Sequence, residues 1–308
     1  MKVLNQCEGK DFCIYHGDCV EVLKGIPTNS IHLSVSSLPF AQLYCYSASD
    51  RDMGNNRTYK EFFEQYKYLA SEWLRVTMPG RNVCIHCMNI PAMKERDGYI
   101  GLIDFRGQII ALMQSVGFIY HSEVCIWKNP VTAMQRTKAL GLLHKQIKKD
   151  SCMSRMGIPD YVVTFRKPGD NPERVTHTDE SYPVSKWQEV ASPIWDDYAA
   201  PVWWDINQSA TLNREAARDE KDERHICPLQ LPVIERCVEL YSNPGDVVLD
   251  PFDGIGSTGY QALLMERKHI GIELKESYFN LACQNLKAAE AGKMQQIGIG
   301  FAEPEGAE

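Results

Sequence analysis

The sequence predicts an α/β protein built on a doubly wound, mostly parallel sheet. Three observations support that class. Short apolar runs of strand length recur along the 308 residues, separated by stretches of helical period. One such run, Val247–Leu249, stops at Asp250-Pro251 and passes through Gly254 and Gly256 into a helical stretch, the strand–turn–helix unit of such sheets. Hydrophobic content of 44% and charged content of 24% are ordinary for a globular chain, long enough here to bury a large core.

The elements follow in order. Phe12–Tyr15 is a short strand closed by Gly17-Asp18, and Val20, Val22 and Leu23 mark a helix-like stretch. Ile31–Val35 is the next strand and runs into Ser36-Ser37-Leu38-Pro39-Phe40. A polar loop with Tyr44 and Tyr46 extends to Asn56, too long for a plain connection. Thr58–Thr77 is the clearest helix, because Phe62, Phe63, Tyr66, Leu69, Ala70, Trp73 and Leu74 share one face. Pro79-Gly80 is expected to stop it. Asn82–His86 is a strand, followed by a mobile-looking segment to Gly98 and a helix over Asp104–Val116. Ile119–Trp127 and Tyr161–Phe165 are further strands. Residues 168–224, rich in proline, tryptophan and charge, are expected to form an irregular insertion outside the core. Pro228–Tyr241 is a helix that delivers the chain to Asp246.

Charge is uneven. The net charge is −7, yet Lys128–Lys167 holds nine basic residues against Asp150 and Asp160. A solvated helix face is the plain explanation of such a run. The eleven cysteines are scattered and odd in number, which reads as free thiols in a cytoplasmic protein. Cys84-Ile85-His86-Cys87 has the look of half a zinc site, but no second pair matches it, so a buried strand is expected there and no metal. No apolar stretch is long enough to span a membrane, and Met1–Gln6 does not read as a signal peptide, so none is expected.

The turn after Leu249 reads D-P-F-D-G-I-G-S-T. Its glycines leave backbone bare for a ligand, and Ser257 or Thr258 is placed to cap the next helix, whose apolar side includes Ala262, Leu263 and Met265. A pyrophosphate cradle needs G-x-G-x-x-G or G-x-x-x-x-G-K-[ST]. Here only G-x-G is present, no lysine follows, and an aspartate precedes, which favours an amine-bearing ligand. Ile270-Gly271-Ile272 then ends in Glu273, a carboxylate suited to ribose hydroxyls. A ribose, an amine and no pyrophosphate together fit S-adenosylmethionine. Ligands of open α/β sheets sit beyond the strand carboxyl ends, so the loops after Val35 and Leu249 should share one edge.

These residues carry a family resemblance. Asp250–Thr258 resembles the cofactor motif D-P-F-x-G-x-G-[ST]-[ST] of DNA amino-methyltransferases, and Ser37-Leu38-Pro39-Phe40 resembles their catalytic motif [DNS]-P-P-[YFW]. Catalytic motif first and cofactor motif last is similar to the beta class. Gly17-Asp18, Trp127-Lys128 and His225–Pro228 sit where that class has smaller motifs, and the resemblance covers most of the chain except about 168–224. It implies a Rossmann-like methyltransferase sheet with circularly permuted motifs and an inserted target-recognition region. Residues 1–130 would form the catalytic half. Residues 131–224 would be the basic recognition segment and irregular insertion, including a core strand near 161–167. Residues 225–308 would hold S-adenosylmethionine.

The resemblance implies methyl transfer to the exocyclic amine of a flipped base in double-stranded DNA, Ser37 favouring cytosine N4 slightly over adenine N6. RNA as substrate, or a silenced DNA-binding homologue, are the alternatives. The Ser37 side chain and the Leu38 carbonyl would accept the amine's protons, and Phe40, coupled to Ser37 and Pro39 in the motif, would stack on the base. Leu38 departs from the pattern: without proline's fixed φ, the carbonyl must be aimed by packing. Asp250 would lie near the methionine amino group, Glu273 on the ribose and His225 at the methionine end, with Pro228 also in the cofactor set. Asp18 would meet the adenine amine, or equally cap a helix. Pro251, Phe252, Gly254, Gly256, Ser257 and Thr258 complete the cofactor set. Lys128, Arg136, Lys138, Lys145, Lys148, Lys149 and Arg155 would contact phosphates. A monomer or homodimer is expected.

Overall fold

Strand β3 (Ile31–Ser37) is buried on both faces over most of its length, so apolar Ile31, Leu33 and Val35 alternate with small Ser34 and Ser36 rather than with charges. It lies mid-sheet in a computed structural model that describes residues 3–40, 51–56, 58–130, 144–154, 157–185, 201–213 and 228–292. Preceding it are β1 (Asn5–Glu8), β2 (Phe12–His16) and helix α1 (Cys19–Leu23). After it come α2 (Tyr59–Val76), β4 (Thr77–Met88), β5 (Ile90–Ala92), α3 (Lys94–Asp97) and β6 (Gly101–Ile103). Then follow α4 (Phe105–Val116), β7 (Ile119–Ile126), α5 (His144–Lys149), β8 (Asp160–Arg166) and β9 (Val202–Trp203). The chain closes with α6 (Leu231–Tyr241), β10 (Val247–Asp250), α7 (Ser257–Leu264), β11 (Lys268–Glu273) and α8 (Glu276–Glu290).

Nine strands make one sheet in the order β1-β2-β11-β10-β3-β4-β8-β7-β9, while β5 and β6 form a separate pair. From β2 to β4 every pairing is parallel; β8 runs against both β4 and β7. Chain reversal at β8 brings its first residue, Asp160, opposite Met88 near the end of β4. Starts and ends of strands therefore mix at one edge, and the site described below depends on that.

Helices cover both faces. On one, α1, α2 and α4 bury Leu23, Phe62, Trp73, Phe105 and Ile109. On the other, α6 and α7 bury Val233, Ile234, Cys237, Tyr260 and Ala262, and α8 seats Phe279 and Leu286 against Phe12 and Ile14 of β2. Helix α2 is fastened to the sheet by a polar contact too, Trp73 Nε1 donating to Ser34 Oγ at 2.7 Å inside the core. The doubly wound expectation is correct.

Several local expectations need correction. Helix α2 ends at Val76, before Pro79-Gly80, and β4 begins at Thr77 and runs through that pair. Gly80 makes this possible: at φ +70° it carries no Cβ to strike Asn171, whose backbone N would lie 2.7 Å away. The mobile-looking segment to Gly98 is built structure, β5 pairing with β6 around α3 with Ile90 and Ala92 buried. Within 168–224, Val202–Trp203 pairs with β7, and Trp203, Ile206 and Leu212 are core residues. Trp203 is buried there while Trp204 beside it is exposed. Ser257 and Thr258 do not cap α7; its N-cap is Gly256 in the left-handed region, with no side-chain cap bond.

Candidate active site

The loops after β3 and β10 do share one edge, since the two strands are adjacent and parallel. A buried hydrogen bond couples them: Ser36 Oγ donates to Asp250 Oδ1 at 2.7 Å. The same carboxylate accepts from Phe252 N at 2.9 Å and from Thr258 Oγ1 at 2.8 Å. Asp250 thus ties the end of β3, the turn after β10 and the first turn of α7 into one unit, with its oxygens engaged inside the protein. Burial, with Asp253 as a second cause, pushes its carboxyl up to about 7.

The glycine turn is held from below. Asp253 lies under it, accepting from His269 Nε2 of β11 at 2.9 Å with both side chains fully buried. Gly259 and Gly271 leave room for this pair: a Cβ at Gly271 would sit 2.4 Å from Asp253 Oδ2, and one at Gly259 would sit 2.4 Å from His269 Cδ2. Glu273, at the end of β11, accepts from Gly254 N at 2.8 Å and Lys275 N at 2.7 Å. Burial pushes its carboxyl up to about 8, and Asp253 and Asp52 add to the rise. A Cβ at Gly254 would meet nothing nearer than Phe252 O at 3.9 Å, so the space over that turn is bounded by bare backbone. Desolvated acids gathered around bare backbone suit a small cationic ligand, which would relieve the cost of ionising them. The residues present fit S-adenosylmethionine, with its sulfonium and amino group.

The S-L-P-F loop leaves β3 beside this turn. Ser37 pairs in register with His86 of β4, and Ser37 Oγ lies 2.9 Å from His86 Nδ1. Leu38 N–H donates to His86 O at 3.4 Å, and the Leu38 side chain is 2% exposed in the core beside α2. Its backbone is therefore fixed by packing together with a hydrogen bond that proline could not make. Pro39 is buried. Phe40 is half-buried, its ring 6.2 Å from Phe105 at the margin of the Phe62–Phe63–Phe105 cluster.

Behind Ser37 stands a constellation the sequence did not reveal. His86 Nε2 lies 3.0 Å from Asp160 Oδ2, and Lys128 Nζ lies 2.5 Å from the same oxygen. His86 and Asp160 are buried. Burial alone would raise the Asp160 carboxyl, but Lys128 and His86 hold it below the ordinary carboxylate range. Cys84–Cys87 is interior strand as expected, both thiols fully buried.

Other expected residues fall as follows. Asp18 caps α1, accepting from Glu21 N at 2.9 Å. Pro251, Ser257 and Thr258 are buried within the turn, and Phe252 is half-buried against the core. Pro228 is half-buried ahead of α6. Lys145, Lys148 and Lys149 are exposed on α5. Lys128 Nζ lies 2.5 Å from Oδ2 of buried Asp160. His225, Arg136, Lys138 and Arg155 lie outside the described residues.

Known proteins resemble this chain in sequence and in fold. The chain is 25% identical over 290 residues to YhdJ, a DNA adenine methyltransferase of Escherichia coli K12, covering 92% of this chain and 85% of that protein. It is 24% identical over 275 residues to the type II methyltransferase M.BglII of Bacillus subtilis, covering 89% of this chain and 68% of that one. The fold matches the cytosine-N4-specific PvuII DNA methyltransferase with a TM-score of 0.63 and 18% identity, covering 95% of this chain and 98% of the other. It also matches a Thermus thermophilus protein assigned as a DNA modification methylase and solved with S-adenosyl-L-methionine, at TM-score 0.63 and 23% identity, covering 91% and 96%. Residues 31–284, from the start of β3 to within the last described helix, match the N6/N4 methyltransferase family, described as DNA methylase. Taken with the coupled loops at one sheet edge, that match places the chain in the N6/N4 DNA methylase family.

Proposed function

We propose that this methyltransferase moves a methyl group from S-adenosylmethionine to the exocyclic amine of a base flipped from duplex DNA, with cytosine N4 favoured slightly over adenine N6. The observation that carries this reading is the bond between Ser36 and Asp250, which sets the S-L-P-F loop against the glycine turn. S-adenosylmethionine supplies a methyl group made electrophilic by its sulfonium. The protein must bring a poor nucleophile to it, because an exocyclic amine shares its lone pair with the ring. Ser37 Oγ and the Leu38 carbonyl accept the amine's protons, which draws the nitrogen toward sp³ and frees that pair. Leu38 replaces the first proline of the catalytic pattern without losing the carbonyl. Phe40 offers a ring face to the extruded base, whose flipping costs a few kcal/mol.

On this reading Gly254, Gly256, Asp250 and Glu273 frame the cofactor. Residues 225–308 carry the cofactor half and 1–130 the catalytic half. The exposed lysines of α5, within 131–224, track phosphates without reading sequence. Nucleoside analysis of duplex DNA methylated by the protein tests the proposal. N4-methylcytosine is the expected product. N6-methyladenine alone would reverse the base assignment, and unmodified DNA from cofactor-saturated protein across diverse sequence would refute the reaction.

A further inference from the structure

We infer that His86, oriented by Asp160 and Lys128, is the proton acceptor behind Ser37: the hydroxyl that takes a proton from the methylated amine passes its own to His86 Nδ1. This inference rests on the methyl-transfer reading above. Four residues distant in sequence meet at one sheet edge because each sits where a strand reaches it. Ser37 ends β3, His86 lies near the end of β4, Asp160 begins the reversed β8, and Lys128 follows β7 by two residues. The contacts run in series: Ser37 Oγ to His86 Nδ1 at 2.9 Å, His86 Nε2 to Asp160 Oδ2 at 3.0 Å, and Lys128 Nζ to that oxygen at 2.5 Å.

Partners dictate the tautomer. Asp160 is ionised, beside a lysine and in an interior where an uncompensated carboxylate would be costly, so it accepts and His86 Nε2 carries the hydrogen. Nδ1 is then a lone-pair acceptor, and the Ser37 hydroxyl must donate to it. With its hydrogen so directed, Ser37 Oγ has only lone pairs left for a substrate. That is the state needed to accept an amine N–H. An unassisted serine hydroxyl is free to rotate and donate instead, which would hold the amine's lone pair away from the methyl group.

The proton balance closes. As the nitrogen–methyl bond forms and the sulfur–methyl bond breaks, S-adenosylmethionine leaves as the neutral thioether and the amine gains a positive charge. Loss of one N–H proton to Ser37 Oγ, with the Ser37 proton moving to His86 Nδ1, leaves a neutral methylated amine and an imidazolium facing the Asp160 carboxylate. The proton then passes to water when the product departs. His86 touches no substrate atom. It is a positioning residue that acts through Ser37, in the manner of a histidine held by a buried carboxylate.

Asp160→Asn, His86→Ala and His86→Asn are the discriminating variants. Imidazole nitrogen-15 spectra of the free protein should show Nδ1 unprotonated in wild type and protonated in Asp160→Asn, a readout independent of turnover. Single-turnover methyl transfer should fall about 100-fold in Asp160→Asn and His86→Ala, with cofactor and DNA affinity within about threefold of wild type. His86→Asn offers Ser37 an acceptor oxygen but no basic nitrogen, so it should stay as slow as His86→Ala. Wild-type rates in folded His86→Ala, full rescue by His86→Asn, or a protonated Nδ1 in wild type would each overturn the relay while leaving methyl transfer intact. Absence of transfer by wild type would instead overturn the methyl-transfer reading and the relay with it.

Discussion

On the proposed reading of the S-L-P-F loop, Leu38 stands in place of a proline, and it does two things proline would not. Its N–H reaches His86 O at 3.4 Å, and its side chain fills core space at 2% exposure. Rigidity comes from the fold rather than from a ring. Leu38→Pro should therefore lower stability by roughly 2 kcal/mol through the lost contact and packing, while keeping the carbonyl and so keeping measurable methyl transfer. Denaturant unfolding and a transfer assay check the two halves. Ser37 has the opposite profile. Half-buried at the strand end, it contributes little to the core, so Ser37→Ala should leave unfolding within about 1 kcal/mol of wild type and remove most activity.

The glycine turn and the helix behind it form an element whose two glycines do different work. Gly256, at φ +85°, is closed in: a Cβ there would lie 2.6 Å from Leu286 Cδ1 and 3.3 Å from Ala282 Cα of α8. Gly256→Ala must push α8 away as well as strain the backbone, and should destabilise by about 3 kcal/mol. Gly254, at φ +57°, faces open space. Gly254→Ala should cost about 1 kcal/mol but intrude on the bare backbone of the proposed cofactor site, weakening S-adenosylmethionine binding about tenfold. Chemical denaturation paired with calorimetric titration of S-adenosylmethionine separates these effects. Equal losses of stability in the two variants would contradict the distinction.

At the scale of the molecule, buried acids at the sheet edge make stability depend on pH. Asp250 and Glu273 ionise in the folded state at about 7 and about 8, well above the ordinary range near 4 of an unfolded chain. Between these limits the folded state holds more protons than the unfolded one, so unfolding free energy falls as pH rises from about 4 to about 8 and levels off beyond. Asp250→Asn, which keeps an acceptor for Ser36 and Phe252, should make that fall shallower between about pH 4 and about pH 7. Thermal unfolding of cofactor-free protein across pH reads this directly. A stability that climbs through the same window would contradict the desolvation argument.

Sequence reading reached the sheet, both loops and their shared edge, because parallel strands put ligands beyond their carboxyl ends and Val35 and Leu249 each lead into a motif. It did not reach the Ser37–His86–Asp160–Lys128 series. His86 sits inside an apolar strand where its neighbours suggest only burial, and its partner lies 74 residues away on a strand whose reversed direction and register no local pattern encodes. The two residues of β9 were hidden for a similar reason: tertiary pairing with β7 makes a strand where composition suggests loop.

Transfer of labelled methyl groups from S-adenosylmethionine to unmethylated duplex DNA, compared between wild type and Ser37→Ala, bears most directly on the single coupled site. Label on DNA from wild type and at least a 100-fold smaller rate from a folded, cofactor-binding Ser37→Ala is the result this account predicts. Equal transfer by the two proteins would contradict it.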